Sequence, residues 1–470
     1  MINRLQPYPD YKDSVPPWLG KVPKHWGVLP NRALFSEVKD REHPDEEMLS
    51  VTITRGIVRQ RALLDGSSKK DSSNLDKTKY KLIKPGDIAY NKMRAWQGAL
   101  GASELSGIIS PAYVVMRLRL DANLPRYYHH LYRTPHFAKE AERWSYGITS
   151  DMWSLRPEHF KLIYTPEPPP DEQAAIVKYL DWANGRLERA IRAKRKIIAL
   201  LNEQKQAIIH RAVTRGLDPN VKFKHSGIPW LGDIPEHWEV RRISSFARVG
   251  NGSTPSRSNS GFWSGGTYPW LNSSQVNRAY ITSSDQFVTQ SALRECHLPR
   301  VPAGSILVAI TGQGKTRGTA AVLGFEATIN QHIAFITPRS SGISSEFIRL
   351  ILCAAYQSLR ALSEDSGSTK GALTCTDLKR FKIVLPPLTE QNQLVSFIQG
   401  ETNMLTAAIS RLEREITLLR EYRVRLVADV VTGKLDVREV VKDLPDEAVE
   451  PEVTPDAEEL SESEPEEVEA

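Results

Sequence analysis

The sequence predicts an α+β protein in which two mixed α/β domains alternate with two long helices. Duplication, proline-marked junctions and a change of hydrophobic period predict it. Tyr11-Lys-Asp-Ser-Val-Pro-Pro-Trp-Leu-Gly20 returns as Phe223-Lys-His-Ser-Gly-Ile-Pro-Trp-Leu-Gly232, with six of ten positions identical. Both copies run on into an X-Pro-X-His-Trp stretch, at 22–26 and 234–238. Downstream, Pro170-Asp-Glu-Gln173 opens a helical pattern ending Val213-Thr-Arg-Gly-Leu-Asp218, and Leu388-Thr-Glu-Gln391 opens another ending Val431-Thr-Gly-Lys-Leu-Asp436. From Gln173 to Asp218 the offset between the copies stays at 218 residues. Solenoid repeats have periods of about 20–50 residues, so each unit here is a whole domain followed by a long helix.

The elements follow in order. Residues 1–165 form a first mixed domain. Its strands are an alternating stretch at 49–54, a stretch at 87–90 after a Lys-Pro-Gly turn signal, and a buried strand at 110–118 rich in β-branched and aromatic residues. Residues 124–144 are helical with a break at Pro135, and Pro166-Glu-Pro-Pro-Pro170 closes the domain, since consecutive prolines continue neither a ladder nor a helix. The first long helix occupies 166–218. A second mixed domain at 219–387 repeats the order, with strands at 305–310 and 331–337, a helical stretch at 345–362 and the closing Pro386-Pro387. The second long helix occupies 388–440, and 441–470 is an acidic, disordered tail.

Each helix carries one apolar stripe. Ile176, Leu180, Ala183, Leu187, Ala190, Ile197, Leu201 and Ile208 recur at short steps in the first. Leu394, Ile398, Leu405, Leu412, Ile416, Leu419, Leu426 and Val430 do so in the second. This is the seam of a coiled coil, and a single stripe has to be buried against a partner, so the two helices are expected to pack together. Asp171 and Thr389 are the expected N-caps, with Glu172 and Glu390 suited to the positive end of the helix dipole.

Charge narrows the functional class. The net charge is +6, but residues 443–470 hold thirteen acidic side chains and no Lys or Arg, so the remainder of the chain carries +19. Such a surplus favours a polyanionic partner, nucleic acid first. No apolar run is long enough to cross a membrane, and the N-terminus lacks the apolar core of a signal peptide. The three cysteines, Cys296, Cys353 and Cys375, fit no zinc spacing and are read as reduced thiols of a cytoplasmic protein.

No catalytic constellation stands out. Ala309-Ile-Thr-Gly-Gln-Gly-Lys315-Thr316 satisfies a relaxed phosphate-loop pattern, but Arg317-Gly-Thr-Ala-Ala-Val-Leu-Gly324 follows where a helix is required. His25 and His237 have no Cys or carboxylate at metal-ligand spacing and are read, with Trp26 and Trp238, as packing a domain edge. What remains is nucleic-acid readout from basic side chains interleaved with amides and aromatics. The candidates are Lys69, Lys70, Lys77 and Lys79 in a Ser/Asp-rich loop, and Lys92, Arg94 and Trp96 after a strand. In the second domain they are Asn251, Ser253, Thr254, Arg257, Trp263, Asn272, Gln275, Lys315 and Arg317. Lys and Arg would meet phosphates, while Arg, Asn and Gln can read base edges.

The duplicated motifs, Tyr11-Lys-Asp-Ser with Trp18-Leu-Gly and Val22-Pro-Lys-His-Trp26, their second copy, and Pro386-Pro-Leu-Thr-Glu-Gln391 before a long helix, resemble those of the specificity subunits of type I restriction–modification enzymes. The resemblance covers residues 8 to about 440. It implies two target recognition domains and two spacer helices that pack as an antiparallel coiled coil, with an internal pseudo-twofold. It also implies that the domains read the two halves of an asymmetric, interrupted site in double-stranded DNA. The chain would be non-catalytic and bind no cofactor. It would dock two methyltransferase (modification) subunits and, through them, restriction subunits, with S-adenosylmethionine, ATP and Mg on those partners. The alternatives are a phosphate-loop enzyme at 309–316 and a coiled-coil scaffold without DNA contact. The acidic tail, and a Pro168-Pro-Pro170 region three residues longer than its second copy, depart from the family pattern.

Overall fold

A computed structural model describes residues 5–64, 76–147, 153–312, 316–364 and 371–445. The contacts divide the chain into two compact units. One takes residues up to Lys194 and those from Glu413 onward; the other runs from Arg195 to Leu412. The boundaries fall inside the two long helices, Pro170–Arg215 and Leu388–Val431, and not at the proline-rich junctions. Each unit therefore holds one mixed domain, the first part of one helix and the last part of the other.

In the first unit the central element is Tyr113–Leu118, whose Val114, Val115 and Met116 are fully buried. It pairs antiparallel with Phe35–Val38 on one side and Ile88–Asn91 on the other, and Ile88–Asn91 pairs with Leu100–Ala102. Two helices, Pro125–Tyr132 and Pro135–Arg143, each begin on proline, which has no N–H to leave unpaired. The Thr134 hydroxyl caps the second by accepting from Phe137 N. Tyr127, Tyr128, Leu131, Tyr132 and Phe137 are buried in the same core as Phe35 and Phe160. Gly27–Pro30, which follows the paired strands Tyr11–Asp13 and Lys21–Pro23, pairs with Tyr164–Glu167, the domain's last strand.

The second unit repeats this order. Ala247–Asn251, Ile333–Pro338, Ile306–Ala309 and Ala320–Leu323 form the same antiparallel succession, extended by Tyr280–Ile281. Glu239–Arg242 pairs with Lys382–Leu385 as Gly27–Pro30 does with Tyr164–Glu167 in the other unit. Ser345–Ala354 and Tyr356–Glu364 are the two helices. Between these shared elements the insertions differ. The first unit adds the hairpin Leu49–Thr52 with Gly56–Arg59 and the pair Lys81–Ile83 with Gly107–Ile109. The second adds a three-stranded sheet of Gln286–Val288, Tyr268–Leu271 and Thr328–Ile329.

The duplicated motifs meet at the helix ends. The Gln173 amide donates to the Pro168 carbonyl (2.9 Å) and accepts from Leu124 N (2.9 Å); Gln391 donates to Pro386 (2.8 Å) and accepts from Ser344 N (2.8 Å). Each buried glutamine thus ties the start of its long helix to the loop before the unit's paired helices. The adjacent glutamate binds the leading motif: His25 Nε2 lies 2.8 Å from Glu172 Oε2, and His237 Nε2 lies 2.8 Å from Glu390 Oε2. In the first unit Glu172 also accepts from Tyr8 Oη and from Trp26 Nε1 (3.0 Å). Glycines complete the junctions. Gly433 follows the second helix at φ +76° against Pro23 and Trp26, and Gly216 follows the first at φ +73° against Trp238. The His-Trp pairs are therefore structural, as read from sequence. The expected caps need correction, however. The helices begin on Pro170 and Leu388, so Asp171 and Thr389 lie inside the first turn; the Pro169 and Pro387 carbonyls accept the opening bonds from Gln173 N and Gln391 N (both 2.9 Å).

The stripes also shift in part. In the second helix Leu394, Ile398, Ile416, Leu426 and Val430 are buried as expected. In the first, Ile191 is buried (2 %) where Ala190 was expected, and Ile197 is 46 % exposed. Polar groups hold seam positions. In the first unit Lys194 Nζ lies 2.6 Å from Glu415 Oε2, and Arg423 Nη1 lies 3.3 Å from Glu188 Oε2. In the second unit Lys205 Nζ donates to Thr406 Oγ1 (2.9 Å), and burial with the nearby Arg349 lowers its pKa. Within each unit the numbering runs in opposite directions along the two helical segments: 188 meets 423 and 194 meets 415, while 205 meets 406 and Gly216 approaches Glu390.

Candidate nucleic-acid interface

In the first unit the described basic candidates lie in two loops, one before Lys81–Ile83 and one after Ile88–Asn91. Lys77, half-buried, and Lys79, exposed, sit in the turn before Lys81–Ile83. Lys92, Arg94 and Trp96 lie in the loop joining Ile88–Asn91 to Leu100–Ala102. That loop is ordered from within. Arg94 Nη1 donates to Gln97 Oε1 (3.0 Å), Trp96 Nε1 donates to the Met93 carbonyl (2.9 Å), and Trp96 meets Trp153 edge-on at 5.7 Å. Sequence reasoning missed Lys39, Arg41 and Lys81. Lys81 is buried (7 %), its ammonium donates to the Tyr113 carbonyl, and burial followed by Lys92, Arg41 and Lys39 pushes its pKa down. Several cations therefore share one field, relieved by Glu37, which also pairs with Lys161 at 3.0 Å. The run Lys39-Asp-Arg-Glu-His43 reads as a mixed, solvated stretch, and only folding brings it beside Lys92. Lys69, Lys70 and Lys315 lie outside the described residues.

In the second unit the candidates divide. Arg257 is exposed, stacks over Trp263 with Cζ 3.8 Å from the ring centroid, and donates from Nη2 to Gln286 Oε1 (2.7 Å). Asn251, Ser253 and Thr254 lead into it; Ser253 N donates to the Ile329 carbonyl (3.0 Å), and Thr254 Oγ1 bonds Gln331. Asn272 and Gln275 are partly buried and engaged with their own backbone. They form the capping box of a short 3₁₀ helix, Ser273–Asn277, and Gln275 also donates to Asp285 (3.3 Å). Arg317 corrects the expectation of a surface contact. It is 4 % exposed, and its Nη1 donates to the Gly371 carbonyl, which places it inside the fold.

The phosphate-loop alternative, against which the sequence already argued, meets strand structure on both sides. Ile306–Ala309 and Ala320–Leu323 are antiparallel neighbours, closed by Ala309 N to Thr319 O (3.1 Å) and Gly318 N to Ala309 O (2.8 Å). The two strands are hairpin neighbours, and among the described residues no helix N-terminus follows Ile306–Ala309 to receive phosphate. Among the described residues no group of three or more His, Cys, Asp or Glu could hold a metal ion, and no helix is long and apolar enough to cross a membrane.

The two units share one framework and differ in their insertions, and known proteins resemble the chain in sequence and in fold. The family model for the type I restriction modification DNA specificity domain matches residues 235–418. A type I restriction enzyme specificity subunit of Escherichia coli is 24% identical over 43% of this chain, and the match spans 47% of that protein, about half its length. A putative type I restriction enzyme specificity subunit of Methanocaldococcus jannaschii is 23% identical over 89% of this chain and 96% of its own length. A chain from a solved type I R-M system shares the fold with TM-score 0.62 and 17% identity, covering 88% of this chain and 99% of that one. The chain is thus similar along most of its length to type I restriction enzyme specificity subunits.

Proposed function

We propose that this chain reads a bipartite, asymmetric site in double-stranded DNA for a type I restriction–modification complex. Residues 1–165 and 219–387 act as target recognition domains, each reading one half-site. The two long helices pack as an antiparallel coiled coil, set the half-site separation and dock two methyltransferase subunits, through which restriction subunits join. The chain itself is non-catalytic; S-adenosylmethionine, ATP and Mg belong to the partners. The observation that carries this reading is duplication with divergence. The shared strand order and the Glu-Gln junctions are kept in both units, while the insertions between shared strands differ. That is what is needed if one docking geometry must present two different readers. In the first unit the readers include Lys77, Lys79, Lys92, Arg94 and Trp96, with Lys39 and Arg41 on the phosphates; in the second they centre on Asn251, Ser253, Thr254 and Arg257.

The test is a ruler experiment. One heptad is removed from 176–208 and the corresponding heptad, 218 residues on, from the second helix. At 1.5 Å per residue and 3.4 Å per base pair the half-sites should close by about three base pairs. Methylated adenines are mapped genome-wide in cells carrying each form. The same half-site bases at a shortened spacing support the proposal; new bases at the old spacing would sink it.

A further inference from the structure

Arg257 is an exposed side chain held on three sides. The loop that carries it is stapled by two indoles: Trp270 Nε1 donates to the Ser253 carbonyl (3.2 Å) and Trp263 Nε1 to the Ser256 carbonyl (3.1 Å). At its base Gly252 approaches Ile329 so closely that a Cβ there would lie 1.7 Å from the Ile329 carbonyl oxygen. The same two indoles form a corner, with ring planes at 85°, and the guanidinium sits in it, 3.8 Å from the Trp263 centroid and 5.0 Å from that of Trp270. Gln286 fixes one nitrogen of the fork.

The staples bond backbone carbonyls, so any residue at 257 would leave them intact. What arginine adds is a charged, planar fork in a fixed position. An exposed arginine ordinarily loses much rotamer entropy on binding, and here much of it is lost before a ligand arrives. A phosphate contact gains little from such fixing, because a flexible lysine serves as well. The surrounding sequence points the same way. From 251 to 267 Arg257 is the only charged residue, among serines, asparagines, threonines and glycines. A phosphate track gathers cations, whereas a lone cation among amides and hydroxyls suits base edges.

We propose that Arg257 is a guanine-reading residue of the second unit, its guanidinium donating to O6 and N7 of a guanine in the major groove. This rests on the DNA-reading function proposed above. Of the pairings available to a major-groove side chain, the arginine fork on guanine is the commonest specific one.

The full-length protein, in the complex in which it purifies, is offered a pool of random-sequence DNA duplexes at fixed salt. The wild type should select a bipartite consensus, one half of which holds a G·C pair that Arg257→Ala no longer prefers. The expected loss of discrimination at that pair is about 5- to 150-fold. The other half-site should be unchanged, which also shows that the variant is folded. Arg257→Lys, keeping the charge but not the fork, should lose the same preference while retaining the neighbouring bases and its overall affinity for the pool. Unchanged base preference in Arg257→Ala overturns the assignment and leaves Arg257 as a loop brace. Full restoration by Arg257→Lys, or loss of the entire half-site in both variants, overturns it too. If the wild type selects no sequence at all, the DNA-reading function fails and takes the assignment with it.

Discussion

Glu172→Ala and Glu390→Ala remove the same position of the two duplicated junctions, and the structure predicts unequal costs. The Glu172 side chain is 3 % exposed and accepts from Tyr8 Oη, Trp26 Nε1 and His25 Nε2. Its loss strands two buried donors, since Tyr8 is 3 % and Trp26 0 % exposed, while the half-exposed His25 can turn to water. At about 1–3 kcal/mol for each unsatisfied buried donor, the cost is about 2–6 kcal/mol. Glu390 is 26 % exposed and its bond is to His237, itself 49 % exposed. The Trp238 indole N–H has no partner among the described residues, so nothing further is stranded. The cost there is about 0.5–1.5 kcal/mol. Because two units need not unfold as one, the measurement is hydrogen exchange read peptide by peptide. Glu172→Ala should speed exchange at least about 30-fold in the first unit's 125–132 and 426–440 peptides; Glu390→Ala should speed it less than about 15-fold in the second unit's 345–354 and 392–398 peptides. Equal effects, or a larger one at Glu390, would show that the extra donors contribute nothing.

Two further outcomes follow from single groups. Burial, then Arg133, His130 and Arg126, hold the His129 imidazole well below its usual value of 6.5. The unfolded chain therefore takes up a proton as the pH falls through 6.5 while the folded chain does not. Stability of the first unit is full above that pH and declines below it, by up to about 1.4 kcal/mol per pH unit. His129→Asn should remove this component, so urea midpoints of the two proteins should converge in their dependence between pH 7 and 5; parallel curves refute the assignment. Gly252→Ala must displace either its own backbone or the Ile329 carbonyl, 1.7 Å from the new Cβ. A cost of about 1–3 kcal/mol is expected, visible as new proteolytic cleavage confined to 251–267, and an intact loop would contradict the close approach.

The framework was legible because its signals are local and repeated. Proline pairs, the Glu-Gln dipeptides and the His-Trp motifs recur at nearly constant offset, and the structure gives each pair one job. The strands after Lys-Pro-Gly and Pro-Ala-Gly, and the break at Pro135, also lie where sequence puts them, because turn chemistry is local. The helix stripes were only partly legible. Ala190 and Ile191, and Ile197 and Ile198, are adjacent apolar pairs, so a count of threes and fours accepts either member. The packing selects Ile191 over Ala190 and leaves Ile197 exposed, while Lys194 and Lys205 occupy polar places in the seam. The candidate interface was least legible. Asn272 and Arg317 have the chemistry of readers but are spent on a cap and on a buried carbonyl. Lys39 and Arg41 join Lys92 only through strand pairing across more than fifty residues.

The first unit is assembled from the two ends of the chain. Gln6 bridges to Asp436, and Leu426, Val430, Val431, Val437, Val440 and Leu444 share a core with Trp26, Tyr127 and Tyr128. The second unit, from Arg195 to Leu412, is continuous. During synthesis the second unit can close as soon as it emerges, whereas the first, though begun earlier, waits for the last helix. At roughly 5–20 residues per second, that wait across about 250 residues is roughly 12–50 s. Throughout it, the apolar face around Trp26 and Tyr127 is uncovered on the ribosome, so a nascent chain stalled before residue 426 should hold chaperones that the finished protein releases.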